Sequence, residues 1–295
     1  MPDSSPCQNL PGMVPSAVQI RSVVLEQEVL AHDTYRLRVA CPEIARQVVP
    51  GQFFMIRRPG TEPLLGRPFA LYDTVVNEAG EPTGLDFGYH VIGKATRLMS
   101  AWDAGQLVEL WGPLGNGFPV FRGSHLLCVG GGIGYTPFLA VAREVARQRN
   151  YGRPADGPPG SRRVTLLYGS RNRSYRADLS DFEGIPNFTY ELSTDDGSEG
   201  HKGFVTGLVE KHLAAPGRPD AVYCCGPEPM MHAVARLCET AGVPCWLSLE
   251  TPMACGFGAC FSCVTRVKTD EEPGWDYRRT CVEGPVFEAS SLYRG

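Results

Sequence analysis

The sequence predicts a β plus α/β protein: an antiparallel β-barrel, then a parallel-sheet domain, then a small C-terminal module organised by cysteines. Three observations carry this. Short alternating runs fill the chain to about Phe121, apolar strands separated by helical patterns begin near Ser124, and four cysteines crowd a glycine-rich stretch at the end. A chain of 295 residues has room for two domains of about 150 residues and a smaller third. With 43% hydrophobic and 20% charged residues it is globular in composition, which excludes a largely disordered protein. A net charge of -4 offers no basic face to nucleic acid, and no stretch reaches the ~18 uninterrupted apolar residues of a membrane span. The expected boundaries are 1–17 tail, 18–121 barrel, 122–249 α/β domain and 250–295 cysteine module.

Residues 1–17 contain Pro6, Pro11 and Pro15 but neither a basic start nor an apolar run, so they read as a disordered tail and not a signal peptide. Val18–Leu30, Thr34–Ala40, Gln52–Arg57, Pro68–Tyr72, Leu85–Val91 and Leu107–Trp111 each fit a half-buried strand, with Pro50-Gly51, Pro59-Gly60 and Ala79-Gly80 as turns. Six such strands predict a closed barrel, with one short helix over Ala95–Ala101. Within it, Arg67 can clamp a phosphate while Phe69, Leu71 or Tyr72 lies against a flat ring. Thr96 and neighbouring N–H groups can hold a second phosphate. Taken alone, these are also ordinary strand and helix-start residues. Gly112–Phe118 closes the barrel, its glycines serving chain reversal.

Beyond Ser124, strands His125–Val129, Val164–Tyr168, Phe188–Leu192, Ala221–Cys225 and Trp246–Leu249 alternate with helical patterns at Pro137–Arg149, Asp178–Phe182, Val205–Leu213 and Pro229–Ala241. Asn150–Arg163 is too polar to pack and reads as an exposed loop. Gly130-Gly131-Gly132-Ile133-Gly134-Tyr135-Thr136-Pro137 follows the first of these strands and opens a helix. Its glycines let a pyrophosphate approach the backbone at the helix N-terminus, with Thr136 able to cap and Pro137 suited to the first turn. The bland alternative is a tight connection without a ligand. Ser170-Arg171 ends the next strand, where a ribose would lie, and Cys225-Gly226-Pro227-Glu228-Pro229-Met230 makes another tight turn into a helix. Cys225 is then either near the reacting end of a dinucleotide or a buried strand cysteine.

Cys255, Cys260 and Cys263 follow C-x4-C-x2-C, with Cys281 farther along, the spacing of plant-type [2Fe–2S] ligation. Gly256 and Gly258 let this loop curl so that its amides face the sulfurs. Tetrahedral zinc is the alternative, but zinc usually takes two short knuckles, whereas here three ligands share one loop. Eleven cysteines in a chain this large point to a reducing cytoplasm, with some thiols reserved for metal. Cys7, Cys41, Cys128, Cys224, Cys238 and Cys245 read as small apolar fillers.

The order of these motifs resembles the ferredoxin reductase-like flavoproteins, and more closely the electron-transfer subunits of the two-subunit, NAD-linked dihydroorotate dehydrogenases. The likeness runs from about Val18 to Val286. It is carried by Arg67–Ala70, Tyr89–Thr96, Gly112–Phe118, Gly130–Pro137, Thr194–Ser198 with Lys202–Thr206, Cys225–Met230, and Met253–Cys263 with Cys281–Phe287. The resemblance implies FAD against Arg67, Pro68, Phe69, Ala70, Gly88, Tyr89, His90, Val91, Ala95 and Thr96. It implies NAD(H) on Gly130, Gly131, Gly132, Gly134, Thr136, Pro137, Ser170, Arg171, Cys225, Gly226, Pro227 and Met230, and a [2Fe–2S] cluster on the four terminal cysteines. Ala70, His90 and Ala95 depart from the serine, arginine and glycine common at those places, and the Cys263–Cys281 excursion is several residues longer than usual.

The implied partner is an FMN-containing catalytic subunit, two of each forming a heterotetramer in the cytoplasm, in pyrimidine biosynthesis. Dihydroorotate is oxidised there, and electrons pass through this chain's cluster and FAD to NAD+. A flavin belongs between the other two centres because a nicotinamide exchanges electrons in pairs and a cluster singly. No (β/α)8 pattern exists here for the dihydroorotate chemistry, so the chain alone would be an NADH-oxidising diaphorase. Two rivals stand beside this reading: the reductase subunit of another ferredoxin- or sulfide-linked NAD(P)H complex, and a zinc-bearing partner protein with an idle nucleotide fold. Arg171 and Arg173 leave NADP open, since arginines there can receive a 2′-phosphate.

Overall fold

The computed structural model describes residues 17–60, 62–154 and 156–293; the expected tail, Ala17 apart, lies outside them. The barrel half contains β1 (Val18–Ala31), β2 (Thr34–Ala40), α1 (Pro42–Ala45), β3 (Phe53–Arg57), β4 (Arg67–Ala70), β5 (Asp73–Val76), β6 (Pro82–His90), α2 (Lys94–Met99) and β7 (Leu107–Leu114). Its strands form one antiparallel sheet in the order β4-β3-β7-β1-β2-β6-β5. Alternation dictates which side faces inward. Leu37, Val39, Phe54, Ile56, Leu85, Phe87, Val108 and Leu110 are buried together, each such burial contributing roughly 1.5–3 kcal/mol.

The sheet has seven strands, one more than the periodicity predicts. The additional strand, β5, opens on Asp73-Thr74, a polar pair that hides it from a hydrophobic pattern. The edge strands β4 and β5 are joined by Leu71-Tyr72 alone. Leu71 N–H donates to Gln52 O at 2.9 Å and Tyr72 N–H to Asp86 O at 2.9 Å, so this short link ties the two edges of the curl together. β4 and β5 do not pair, however, and the sheet is a curled half-barrel where the sequence predicts a closed barrel.

The second half comprises β8 (His125–Gly131), α3 (Pro137–Val145), β9 (Arg163–Ser170), β10 (Phe188–Thr194), β11 (His201–Lys202), α4 (Val205–Ala214), β12 (Ala221–Cys225), α5 (Glu228–Ala241) and β13 (Cys245–Ser248). At the C-terminus follow the hairpin β14 (Val264–Lys268) and β15 (Trp275–Arg279), then β16 (Val286–Glu288). The sheet order is β11-β10-β9-β8-β12-β13-β16, parallel except for β16, which runs antiparallel to β13. The chain's last strand thus closes the edge of the α/β sheet. Apolar clusters cover both faces, as a parallel sheet requires.

Three local expectations change. α3 stops at Val145, short of Arg149, because Arg147 takes a left-handed φ of 61°. The helix expected over Asp178–Phe182 is only a 3₁₀ turn, Ser180–Phe182, since the Asp178 carboxylate accepts from Ser180 N–H at 3.1 Å and settles the chain into a turn. The segment after Asn150 does pack at its start. Tyr151 is buried in the barrel core, and Gly152 N–H donates to Val48 O at 3.0 Å. Among the described residues no helix is long and apolar enough to cross a membrane.

Candidate functional site: two adjoining clefts and a thiol cluster

At the carboxyl ends of β8, β9, β10 and β12 lies a cleft of about 770 Å³, and beside it, along β4 and β6, a second of about 690 Å³. They share His90, Ile133, Gly134 and Glu250 as a common wall. The wall is thin for a steric reason. A side-chain carbon at Gly134 would sit 2.4 Å from Cys225 O, so only glycine lets the turn after β8 rest on the turn after β12.

Gly131, Gly132, Ser170, Arg171, Gly226, Pro227 and Met230 line the first cleft with Gly134. Gly130 and Pro137 line neither. Gly130 lies beneath Tyr135, and Pro137 is buried at the start of α3. Thr136 faces the second cleft, where its hydroxyl donates to Ile133 O at 2.9 Å; it tightens the turn and makes no helix-capping bond. Cys225 also faces the second cleft, and burial with nearby Glu250 pushes its thiol up to about 12, so it stays protonated. The sequence reading missed Glu250 and Asp195. They follow β13 and β10, and the rule that ligands gather at carboxyl ends of parallel strands could have found both. Enclosure by protein raises the Glu250 carboxyl, although its side chain opens onto the cleft.

Arg67, Pro68, Phe69, Ala70, Gly88, Tyr89, His90, Ala95 and Thr96 line the second cleft. Val91 does not; it packs towards the barrel core, and alternation presents Ile92 instead. The Arg67 guanidinium donates to Leu65 O at 2.9 Å and Gly66 O at 3.1 Å and has no carboxylate partner among the described residues, so its charge remains available. Phe69 stacks on Phe87 at 5.1 Å and meets Tyr89 at 5.9 Å, a firm aromatic surface for a flat ring. Thr96 Oγ1 accepts from the N–H groups of Ile92 at 3.0 Å and Gly93 at 3.1 Å, so it shapes the loop and occupies donors that a phosphate would use. Arginine, an aromatic platform and a cleft of about 690 Å³ fit FAD.

The four terminal cysteines fall into pairs. Cys255 lies near Cys260 and Cys263 near Cys281, and the Cys255 thiol is also felt at Cys281. No three His, Cys, Asp or Glu side chains among the described residues converge on one metal position. Two thiols on each side suit a binuclear iron–sulfur centre, in which each iron takes two thiolates, better than one zinc. The environments differ. Cys263 and Cys281 are fully buried beside Phe53, Met55 and Leu114, and burial raises the Cys281 thiol. Cys260 is exposed and is held down to about 6 by the Ser262 hydroxyl and backbone N–H. Gly256, at φ 78°, presses against Met55, where an added carbon would lie 2.6 Å away. Trp111 Nε1 donates to Cys255 O at 2.7 Å. Phe53 and Met253 line the second cleft and also pack with Cys263 and Cys281, so one layer of side chains separates cleft from thiols.

Residues 128–236 match the oxidoreductase NAD-binding domain, and residues 250–293 match the iron–sulfur cluster binding domain of dihydroorotate dehydrogenase B. The chain is 35% identical over 274 residues to the dihydroorotate dehydrogenase B (NAD(+)) electron transfer subunit of Caldanaerobacter subterraneus subsp. tengcongensis, covering 93% of this chain and 98% of the relative. With the subunit of that name from Clostridium acetobutylicum it shares 36% over 249 residues, 83% and 87% of the two chains. Among solved structures, the NADH-dependent reduced ferredoxin-NADP oxidoreductase superposes with a TM-score of 0.77 at 25% identity, over 92% of this chain and 89% of that one. A ferredoxin reductase in carbazole 1,9a-dioxygenase, at 0.63 and 23% identity over 77% and 67%, shares the fold. Similarity along nearly the whole of both chains, with barrel, α/β domain and cysteine module in the same order, shows that this chain belongs to the family of dihydroorotate dehydrogenase B (NAD(+)) electron transfer subunits.

Proposed function

We propose that this chain carries electrons from a separate catalytic subunit that oxidises dihydroorotate to NAD+, holding a [2Fe–2S] cluster on Cys255, Cys260, Cys263 and Cys281, FAD in the barrel cleft and NAD(H) in the α/β cleft. The observation that carries this reading is the continuity of the three sites: Ile133 and Gly134 wall both clefts, and Phe53 and Met253 join the barrel cleft to the buried thiols. When bound, the flavin exchanges a hydride with the nicotinamide and single electrons with the cluster.

The protein's own work is positioning. Gly131, Gly132 and Gly134 bring backbone close to a dinucleotide, and the turn Cys225–Pro227 forms the facing wall. Cys225, protonated and buried, shapes that wall and is not a nucleophile. Glu250 opens on both clefts, so its ionised form would favour the positively charged NAD+ ring over neutral NADH. Arg171 lies over the Tyr175 ring at 5.2 Å, on the barrel side, which suits the pyrophosphate. Asp195 borders the far end with no ion pair among the described residues, which suits ribose hydroxyls and supports NAD over NADP. Arg67 offers its charge to a flavin phosphate, with Phe69 and Tyr89 against the ring system.

Cys260, exposed beside half-buried Cys255 and with Phe261 next to it at 62% exposure, marks the face the partner would cover, while the buried pair faces the flavin cleft. Two copies of each subunit, an FMN-bearing partner and a cytoplasmic setting in pyrimidine synthesis complete the proposal.

The test is copurification with a candidate catalytic subunit, followed by dihydroorotate-dependent NAD+ reduction. The anaerobically purified chain should carry flavin and iron–sulfur absorption. Cys260→Ser should keep NADH-driven flavin reduction and lose partner-dependent NAD+ reduction. A normal dihydroorotate-dependent rate in that variant would refute the relay. The likeness to a ferredoxin-NADP oxidoreductase favours ferredoxin as a second candidate partner; NAD+ reduction driven by reduced ferredoxin but not by dihydroorotate would select it.

A further inference from the structure

We propose that Asp73, which borders neither cleft, is a positioning residue for hydride transfer: it bolts the far end of α3 to the barrel and so holds the two clefts in register. The proposal rests on reading the clefts as flavin and nicotinamide sites.

α3 is nine residues long, about 13 Å of helix, and one of its faces runs along the seam between the halves. Thr136, Ala140 and Arg143 stand on that face at i, i+4 and i+7. At the cleft end, Thr136 abuts Gly88 of β6 so closely that a side-chain carbon at Gly88 would come within 2.6 Å of Thr136 Cγ2. In the middle, Ala140 is buried in the barrel's own core cluster. At the far end, Arg143 donates to the Asp73 carboxylate.

Asp73 is 3% exposed and lies on the barrel strand β5; apart from the neighbouring Thr74 N–H, which donates to Oδ1 at 2.8 Å, its carboxylate accepts from residues of the second half of the chain. Besides Arg143, Arg149 Nη1 donates to Oδ2 at 2.7 Å and Tyr151 Oη donates to Oδ1 at 2.7 Å. Nearby, the barrel's Arg36 Nη1 donates to Asp181 at 2.9 Å and Tyr72 Oη donates to Asp181 at 2.8 Å, while Arg143 Nη2 donates to Asp181 O at 2.9 Å. One buried carboxylate thereby gathers two guanidinium groups and a phenol from across the seam. The helix so anchored begins at the turn whose Ile133 and Gly134 wall both clefts. If the bolt loosens, α3 swings and the nicotinamide cleft shifts against the flavin cleft. Because a 1 Å misplacement can cost ~10²-fold in rate, a small swing suffices.

The experiment uses the flavin-loaded full chain and Asp73→Asn, which keeps the shape and removes the charge. Expected are flavin content as in the wild type, ADP-ribose affinity within about twofold, and NADH-driven flavin reduction slowed by roughly tenfold or more. Two further readouts should move with it: stronger temperature dependence of the primary deuterium isotope effect, and faster hydrogen exchange in β5 and the last turn of α3. If Asp73→Asn does not fold, Tyr151→Phe decides, with a smaller loss of the same pattern. A folded variant that reduces its flavin at the wild-type rate overturns the proposal, as does a rate loss matched by lost ADP-ribose affinity. Failure of the wild-type chain to bind ADP-ribose at all overturns the cleft reading instead.

Discussion

Asp195 shows at the scale of one side chain what a carboxylate with no ion pair among the described residues can decide. A 2′-phosphate bound at its end of the cleft would face this carboxylate, while the Arg171 guanidinium is drawn aside onto Tyr175. Repulsion at close range shifts such a balance by about tenfold. Asp195→Asn should therefore raise NADPH use by about tenfold relative to NADH, measured as the ratio of kcat/KM values for flavin reduction. An unchanged ratio would move discrimination elsewhere. The sequence exposes Ser170-Arg171 plainly, because they end a recognisable strand. Asp195 sits in the Thr194–Ser198 motif, but its neighbour could not be read there: Asp195 N–H donates to Ser170 O at 3.2 Å across the sheet. Val91 and Ile92 make the same point. Both are apolar and adjacent, and only the packed barrel decides which faces ligand.

At the scale of elements, the C-terminal module is held by a segment that looks like simple chain reversal. Asn116 Nδ2 donates to Glu283 O at 3.0 Å and Val286 O at 2.8 Å, and its Oδ1 accepts from Val286 N–H at 3.2 Å. These bonds dock β16 and Cys281's loop against the barrel exit. Asn116→Ala should destabilise the protein by about 1–3 kcal/mol in urea titration and speed cluster loss to an iron chelator. Unchanged stability and chelation kinetics would show that β16 pairing alone seats the module. The long excursion between Cys263 and Cys281 proves to be the β14–β15 hairpin, steadied by Arg266 over Trp275 at 4.4 Å. Its strands escape notice because neither face is buried enough to impose a clear apolar alternation.

Across the whole molecule, one contribution to acid tolerance is set where β8 begins. Burial and the adjacent Arg163 lower the His125 pKa. The folded state therefore prefers neutral imidazole, and the associated stability is complete above the unfolded value near 6.5 and lost as pH falls through the lower folded value. The Asp220 carboxylate, lowered by N–H donors from Ser124 and His125 and by the Ser124 hydroxyl, follows at more acidic pH. Urea midpoints should fall between pH 7 and 5, and His125→Gln should flatten that fall. A slope identical in the variant would assign the loss to other groups.

The amino-acid sequence by itself determined the change from two-residue to helical periodicity, the glycine turn after β8 and the C-x4-C-x2-C loop, because each depends on sterics and spacing among near neighbours. Tertiary structure decided the rest: the wall common to both clefts, the pairing of thiols two by two, the capture of β16 by the α/β sheet and the Asp73 bolt. Asp73 meets Arg143, Arg149 and Tyr151 some seventy positions away. A contact that spans such a separation leaves no periodic trace in the chain; it exists only once both cores have formed and their surfaces meet.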